Sequence, residues 1–357
     1  MSESRHKEQY KKSRASGRRL AALGFVSALA MSAFMGQAFA NAQKIVVYTV
    51  IPEEDVNRKI NEEFTRQTGI QVELLNVPAV GTLASRIESE AAHPRADVFA
   101  AAPIDFHENL AKKGLLEPYK SDAVTQEALA KGYADPNGYW TGWYGMTTTI
   151  FWNKDGFASD VAPKGVAEPK AWDDLLNPAY SGQIVLSNPQ TSAIGYVLLA
   201  TQIFRLGEDK AWEYVKSLNG NVAQYTPSAP LTVTLVEKGE AAVGAFWLAD
   251  VLTSKIKRQQ PVEFVVPQDN VVNVWAASVI KGGPNTEGAK KYVDFLLTEF
   301  PQQVNAENGF RHPLNPKVSP PPGAPALADI TQVKYDTKWA TENMDRVRKQ
   351  WADVTGQ

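Results

Sequence analysis

The chain has 357 residues, 37 Lys and Arg against 39 Asp and Glu, and no cysteine. A net charge of -2 offers no basic face with which to displace counterions, which argues against a nucleic-acid partner. Without cysteine there are no disulfides, thiolate metal sites or cysteine nucleophiles, so stability comes from burial alone.

Taken in chain order, a basic stretch at residues 5–19 runs into an apolar stretch at 20–34 and then Gln37-Ala38-Phe39-Ala40. This reads as a signal peptide over residues 1–40 with cleavage after Ala40. Its removal takes away seven Lys/Arg and two Asp/Glu and lowers the charge to -7. Arg18-Arg19 lacks the bulky pair that follows in a twin-arginine signal, and no cysteine is present to carry a lipid anchor. No later apolar run approaches membrane-spanning length, so a periplasmic, soluble monomer is expected.

Residues 44–48 form a short apolar run suited to a buried strand. Pro52 opens a helix with Glu53, Glu54 and Asp55 in its first turn, where carboxylates suit the helix dipole. Val56, Ile60 and Phe64 make its buried stripe and Gly69 its stop. A strand at 71–75, a helix at 83–92 and a strand at 97–100 follow, an α/β pattern with a parallel sheet. A second α/β block holds a strand at 184–186, a helix after Thr191, a helix at 231–238 and a strand at 242–246. Between the blocks lies the extended aromatic stretch 139–152, and a later extended run at 262–280 leads back. The division expected is lobe 1 at 41–142 and 268–318 and lobe 2 at 143–267. Residues 319–357 comprise a stiff proline-rich linker and a helix over 336–354, packing on lobe 2.

Several segments carry a resemblance. Val47-Tyr48 leads to Phe64-Thr-Arg-Gln-Thr-Gly-Ile-Gln-Val72, and Ala96-Asp97-Val98-Phe99 follows. Trp172-Asp-Asp-Leu-Leu-Asn-Pro-Ala-Tyr-Ser-Gly-Gln-Ile184 ends at Ser187-Asn188-Pro189; Lys238-Gly-Glu-Ala-Ala-Val-Gly244 and Ala289-Lys-Lys-Tyr-Val-Asp-Phe-Leu296 complete the series. In this order they resemble the bacterial extracellular solute-binding proteins of ABC importers, in the cluster of ferric-iron, phosphonate, sugar-phosphate and polyamine receptors. The likeness covers nearly all of residues 44–315. It implies an α/β fold of the two-lobed, type II periplasmic binding class with two hinge crossover strands. The lobes would close over one small-molecule solute and deliver it to a membrane permease, with no cofactor and no catalysis.

Iron receptors of that cluster place adjacent tyrosines shortly after the Gly-Glu-Ala segment; here the region reads Ala245-Phe246-Trp247-Leu248. His93, His107 and His312 are isolated and expected at the surface, so no metal site is assigned. Asn188, Thr191 and Ser192 precede a helix whose first amides cradle an anion, or else simply cap it. Thr82 is a second donor by the same logic. Trp247 and Asp250 beyond the strand at 242–246, Trp143 and Tyr144 in the first crossover, and Trp275 in the second suit an ammonium group. The tryptophans also suit the core. An anion cradle with a carboxylate and aromatics points to a zwitterion such as 2-aminoethylphosphonate, with a polyamine as the alternative and then a sugar phosphate or ferric iron. A secreted hydrolase is the different class to exclude: no nucleophile elbow, zinc helix or phosphate loop is present, and Glu53-Glu54 reads as helix-dipole duty.

Overall fold

The computed structural model describes residues 43–77 and 79–357; the leader expected at residues 1–40 lies outside the described residues. Lobe 1 begins with β1 (Lys44–Thr49), α1 (Glu54–Thr68), β2 (Gln71–Asn76), α2 (Val80–Ser89), β3 (Val98–Pro103) and α3 (Ile104–Lys112). The stripe Val56, Ile60 and Phe64 is buried as its spacing requires, with the Phe64 ring edge-on to Tyr292 at 5.0 Å. Gly69 ends α1 in the left-handed region at φ 72°. Short elements β4 (Leu116–Glu117) and α4 (Gln126–Ala130) lead to the long strand β5 (Thr141–Asn153).

Lobe 2 holds α5 (Lys154–Asp160), β6 (Ile184–Ser187), α6 (Ala193–Leu206), α7 (Glu208–Asn219), β7 (Val222–Thr226), α8 (Ala229–Glu237), β8 (Val243–Trp247), α9 (Leu248–Leu252) and β9 (Val262–Val265). The chain returns on β10 (Val272–Ile280) and adds α10 (Thr286–Leu296), α11 (Glu299–Asn308) and β11 (His312–Pro313) to lobe 1. The helices α12 (Thr337–Glu342) and α13 (Met344–Thr355) close the chain.

The strands run in the order β2-β1-β3-β10-β5-β8-β6-β7. The sheet is not purely parallel. β1 is parallel to β2 and β3, and β6 to β7 and β8, but β10 is antiparallel to β3 and β5, and β8 to β5. A chain that leaves lobe 1 on one strand and returns on its neighbour has to run the two in opposite directions. β5 is the crossing strand: up to Thr147 it pairs with β10, and from Thr148 onward with β8 and β9. All thirteen of its residues are buried, so its threonine hydroxyls need partners. Thr148 donates to Asn270 Oδ1 at 2.6 Å, Thr149 to the Val265 carbonyl, and Thr147 lies 3.2 Å from His312 Nδ1.

Two expectations are corrected in detail. The return run at 262–280 is broken between β9 and β10, where Asp269 takes a left-handed φ of 54°. The single C-terminal helix is two, because Asn343 folds its backbone and side-chain amides onto the Trp339 carbonyl and ends α12. α13 lies against α7, with Trp351 edge-on to Tyr225 at 4.9 Å and Arg346 paired with Glu208.

Candidate functional site

The register decides where a solute can sit. β3 runs in the same sense as β5, toward the crossing point, so β1 and β3 end facing lobe 2. β8 runs against β5 and ends at Trp247 opposite Thr148, so β8 and its parallel neighbour β6 end facing lobe 1. The loops after β1 and β3 therefore oppose those after β6 and β8, the place where ligands sit in open α/β sheets.

On the lobe 1 side, Glu53 stands at the N-terminus of α1, as its sequence position suggested, and also makes an ion pair that the sequence did not announce. Its two carboxylate oxygens accept from Arg311 Nη2 at 2.9 and 3.2 Å. The pair is largely enclosed, with side-chain exposures of 19% for Glu53 and 9% for Arg311. Arg311 Nη1 donates to Asn305 Oδ1 at 3.1 Å, and the guanidinium lies over the Tyr144 ring, 5.6 Å from its centre. Tyr144 stacks on Trp275 at 5.7 Å and meets Trp143 edge-on at 4.7 Å. A Cβ on Gly309 would fall 2.2 Å from Arg311 Nη1, and Phe310 turns through a left-handed φ of 55° to aim the arginine inward.

On the lobe 2 side, Asp250 sits in the first turn of α9, directly after β8. The residue is exposed to solvent, while the protein packed around its carboxylate disfavours the charge. That packing raises it to about 6, with Arg311 drawing it down and Glu53 pushing it up. Trp247, half-buried, packs against the cores of both lobes.

One strand over, after β6, Asn188 Oδ1 accepts from the Gln190 amide, Thr191 donates to the Pro227 carbonyl at 2.9 Å, and Ser192 caps α6 by accepting from Gly195 at 3.5 Å. The Thr191 hydroxyl proton is thus spent locally, while Ser192 only accepts and keeps its own O–H; α6 also offers its first amides, Ala193 and Ile194, which have no carbonyl one turn back within the helix. Gly195 is required here, because a Cβ would lie 2.4 Å from the Ser187 carbonyl oxygen.

The structure brings Tyr144, Trp275, Trp247 and Asp250 to the crossing point and sets the Asn188–Ser192 loop on the neighbouring strand end. Trp143 and Tyr144 are corrections: each is buried to 1% exposure and packs as core, Trp143 because a bulge in the β5–β10 register turns it inward and Tyr144 because Trp275 and the Arg311 guanidinium cover its ring. Thr82 is exposed in the first turn of α2, with no side-chain bond among the described residues. His107 and His312 are buried at 0% and 1% rather than lying at the surface. His107 Nδ1 lies 2.6 Å from Ser278 Oγ, and His312 Nε2 donates to the Pro325 carbonyl at 3.0 Å. Burial lowers them to about 3 and about 4. Among the described residues no three His, Cys, Asp or Glu side chains are grouped to hold a metal.

A profile described as "Bacterial extracellular solute-binding protein" matches residues 93–335. The chain belongs to that family. It is a solute receptor of the importer class and not an enzyme. Similar proteins include Iron uptake protein A1 of Synechocystis sp., 25% identical over 296 residues, 79% of this chain and 78% of that one. A putative 2-aminoethylphosphonate-binding periplasmic protein of Salmonella paratyphi A is 24% identical over 303 residues, 82% and 81% of the two chains. Among solved structures, the periplasmic binding protein AfuA from Actinobacillus pleuropneumoniae, with fructose-6-phosphate bound, superposes with a TM-score of 0.67 at 25% identity. The match covers 88% of this receptor and 99% of AfuA. The receptor has the two-lobed, type II periplasmic binding fold of that neighbour.

Proposed function

We propose that this periplasmic receptor takes a small zwitterion of the 2-aminoethylphosphonate kind between its lobes and hands it to a membrane permease. The observation that carries the reading is Asp250. It is a solvent-exposed carboxylate in the first turn of α9, three residues after Trp247, raised to about 6 by the protein around it, with no hydrogen-bond donor from another side chain among the described residues. An ammonium group seated there gains a charge-assisted hydrogen bond and the faces of nearby aromatic rings. The free amides at the start of α6, on the adjacent strand end, suit the anionic end of the same molecule. The relative named for 2-aminoethylphosphonate supports this choice of probe.

A polyamine keeps one specific support. The Thr191 hydroxyl is already spent on the Pro227 carbonyl, while the Asp250 carboxylate has no side-chain donor among the described residues. A thermal-shift series with 2-aminoethylphosphonate, putrescine, fructose-6-phosphate and ferric citrate separates the readings. Micromolar binding at millimolar ligand stabilises by about 4 kcal/mol, a shift of several degrees in Tm. A shift with putrescine and none with the phosphonate replaces the zwitterion by a polyamine.

A further inference from the structure

The strands that join the lobes have two faces, and only one carries the groups described above. On β10, Trp275 stacks on Tyr144 beneath Arg311. Val272 and Val274 are odd-spaced from Trp275 and so point to the opposite side. They line a rear cavity of about 430 Å3, whose other walls include Tyr133, Asp105 at the start of α3, and the segment from Gln332 to Lys338.

That segment runs as a strap. At its start it is knotted to the crossing point through Asn270, which is fully buried. The Asn270 amide donates to the Thr331 carbonyl at 2.9 Å, and the Val333 amide donates to the Asn270 carbonyl at 2.9 Å. The Asn270 side chain is bonded at both ends to Thr148: Nδ2 donates to its carbonyl at 2.7 Å, and Oδ1 accepts from its hydroxyl at 2.6 Å. At its far end the strap is held by lobe 2. Tyr335 and Trp339 pack on Phe204 at 4.9 and 5.2 Å, and the Tyr196 hydroxyl donates to the Ala340 carbonyl. At these same ends it also rests on lobe 1: α12 lies against α3, and the Tyr133 hydroxyl donates to Gln332 Oε1 at 3.2 Å.

A rotation about β5 and β10 that narrows the front widens the rear, drawing α12 off α3 and stretching the Tyr133–Gln332 bond. We propose that the strap is a rear brake on lobe closure, pivoting on Asn270. It touches no solute. It sets how much of the protein is closed before solute arrives, and apparent affinity scales with that fraction. The inference rests on the hinged two-lobed fold and not on the identity of the solute.

The chain has no cysteine, so Glu54→Cys at the start of α1 and Gln190→Cys on the loop after β6, both exposed, give a unique spin-label pair across the cleft. Distances are read by electron double resonance on the full receptor without ligand. Gln332→Ala combined with Tyr133→Phe removes the Tyr133–Gln332 bond, and with it the Gln332 bond to the Leu327 carbonyl, while leaving the Asn270 side chain and the cleft residues as they are; an unchanged far-ultraviolet spectrum verifies folding. The result expected is a larger share of short distances. In the receptor without labels, 2-aminoethylphosphonate then binds about two- to tenfold tighter, the scale of one hydrogen bond. A shift in distances without phosphonate binding leaves the brake standing and refutes the solute. An unchanged distance distribution in the folded double variant overturns the brake, whatever the phosphonate does.

Discussion

Glu53 and Arg311 stand 258 positions apart and form one enclosed ion pair, both carboxylate oxygens accepting from the same guanidinium nitrogen at 2.9 and 3.2 Å. The pair ties the start of α1 to the turn that follows α11, and its guanidinium roofs the Tyr144 ring at the crossing point. Arg311→Met removes the cation but leaves Glu53 enclosed without a partner. The expected loss of unfolding free energy in urea is about 2–3 kcal/mol. A loss under about 0.5 kcal/mol, the scale of an exposed surface change, would show that the pair is solvated and not structural.

Gly195 carries the approach of α6 to the end of β6, where a side chain would meet the Ser187 carbonyl at 2.4 Å and the Asn188 carbonyl carbon at 2.8 Å. Gly195→Ala has to push the helix start away from the strand, at a cost of about 1–3 kcal/mol for an overpacked site. Phosphonate affinity should fall with it, whereas Thr191→Ala alone should change affinity little, its hydroxyl being spent on Pro227. Calorimetric titration of both variants checks this; a Thr191→Ala loss matching that of Gly195→Ala would return the anion contact to the hydroxyl.

Much of this frame was legible in the sequence. The four-residue spacing of Val56, Ile60 and Phe64 with Gly69 gives α1, and the aromatic run before Trp152 gives the crossing strand. What could not be read were pairings made only by the fold. Arg311 had one local signal, a lone charge in the glycine-led turn Gly309-Phe310-Arg311, but nothing near it names Glu53 as its partner. His107 and His312 look like surface histidines because their partners, Ser278 and the Pro325 carbonyl, come from other elements. Trp143 went from candidate contact to core because a bulge shifts the face on which it falls, and alternation along a strand does not announce a bulge.

The two buried histidines make the receptor acid-sensitive. Their folded forms hold protons only near pH 3 and 4, against 6.5 when unfolded. The unfolded chain therefore binds more protons as pH falls below 6.5, and stability drops across the window from 6.5 to about 4. Urea unfolding at stepped pH should show this fall, and His312→Gln should flatten it. A His312→Gln profile as steep as that of the unmodified receptor would contradict the assignment.

Asp250 acts with the opposite sign. Its folded carboxyl, raised to about 6 from 3.8, takes up a proton before the unfolded chain does, so its charge costs stability at pH 7–8 and the cost disappears as pH falls to 4. Asp250→Asn should raise the Tm of the ligand-free receptor at pH 8 and leave it unchanged at pH 4. An equal or lower Tm at pH 8 would mean that the carboxylate is stabilised by the fold and is not waiting for a cation.

The ammonium of a zwitterion is expected at Asp250, exposed in the first turn of α9. The direct measurement is calorimetric titration of the unmodified receptor and Asp250→Asn with 2-aminoethylphosphonate and with ethylphosphonate, which lacks only the amine. The account predicts that the unmodified receptor prefers the amine-bearing ligand and that Asp250→Asn weakens it by about 30-fold or more, the cost of leaving a desolvated charge unpaired, while ethylphosphonate changes little. Equal losses for the two ligands, or tighter binding of ethylphosphonate by the unmodified receptor, would contradict it.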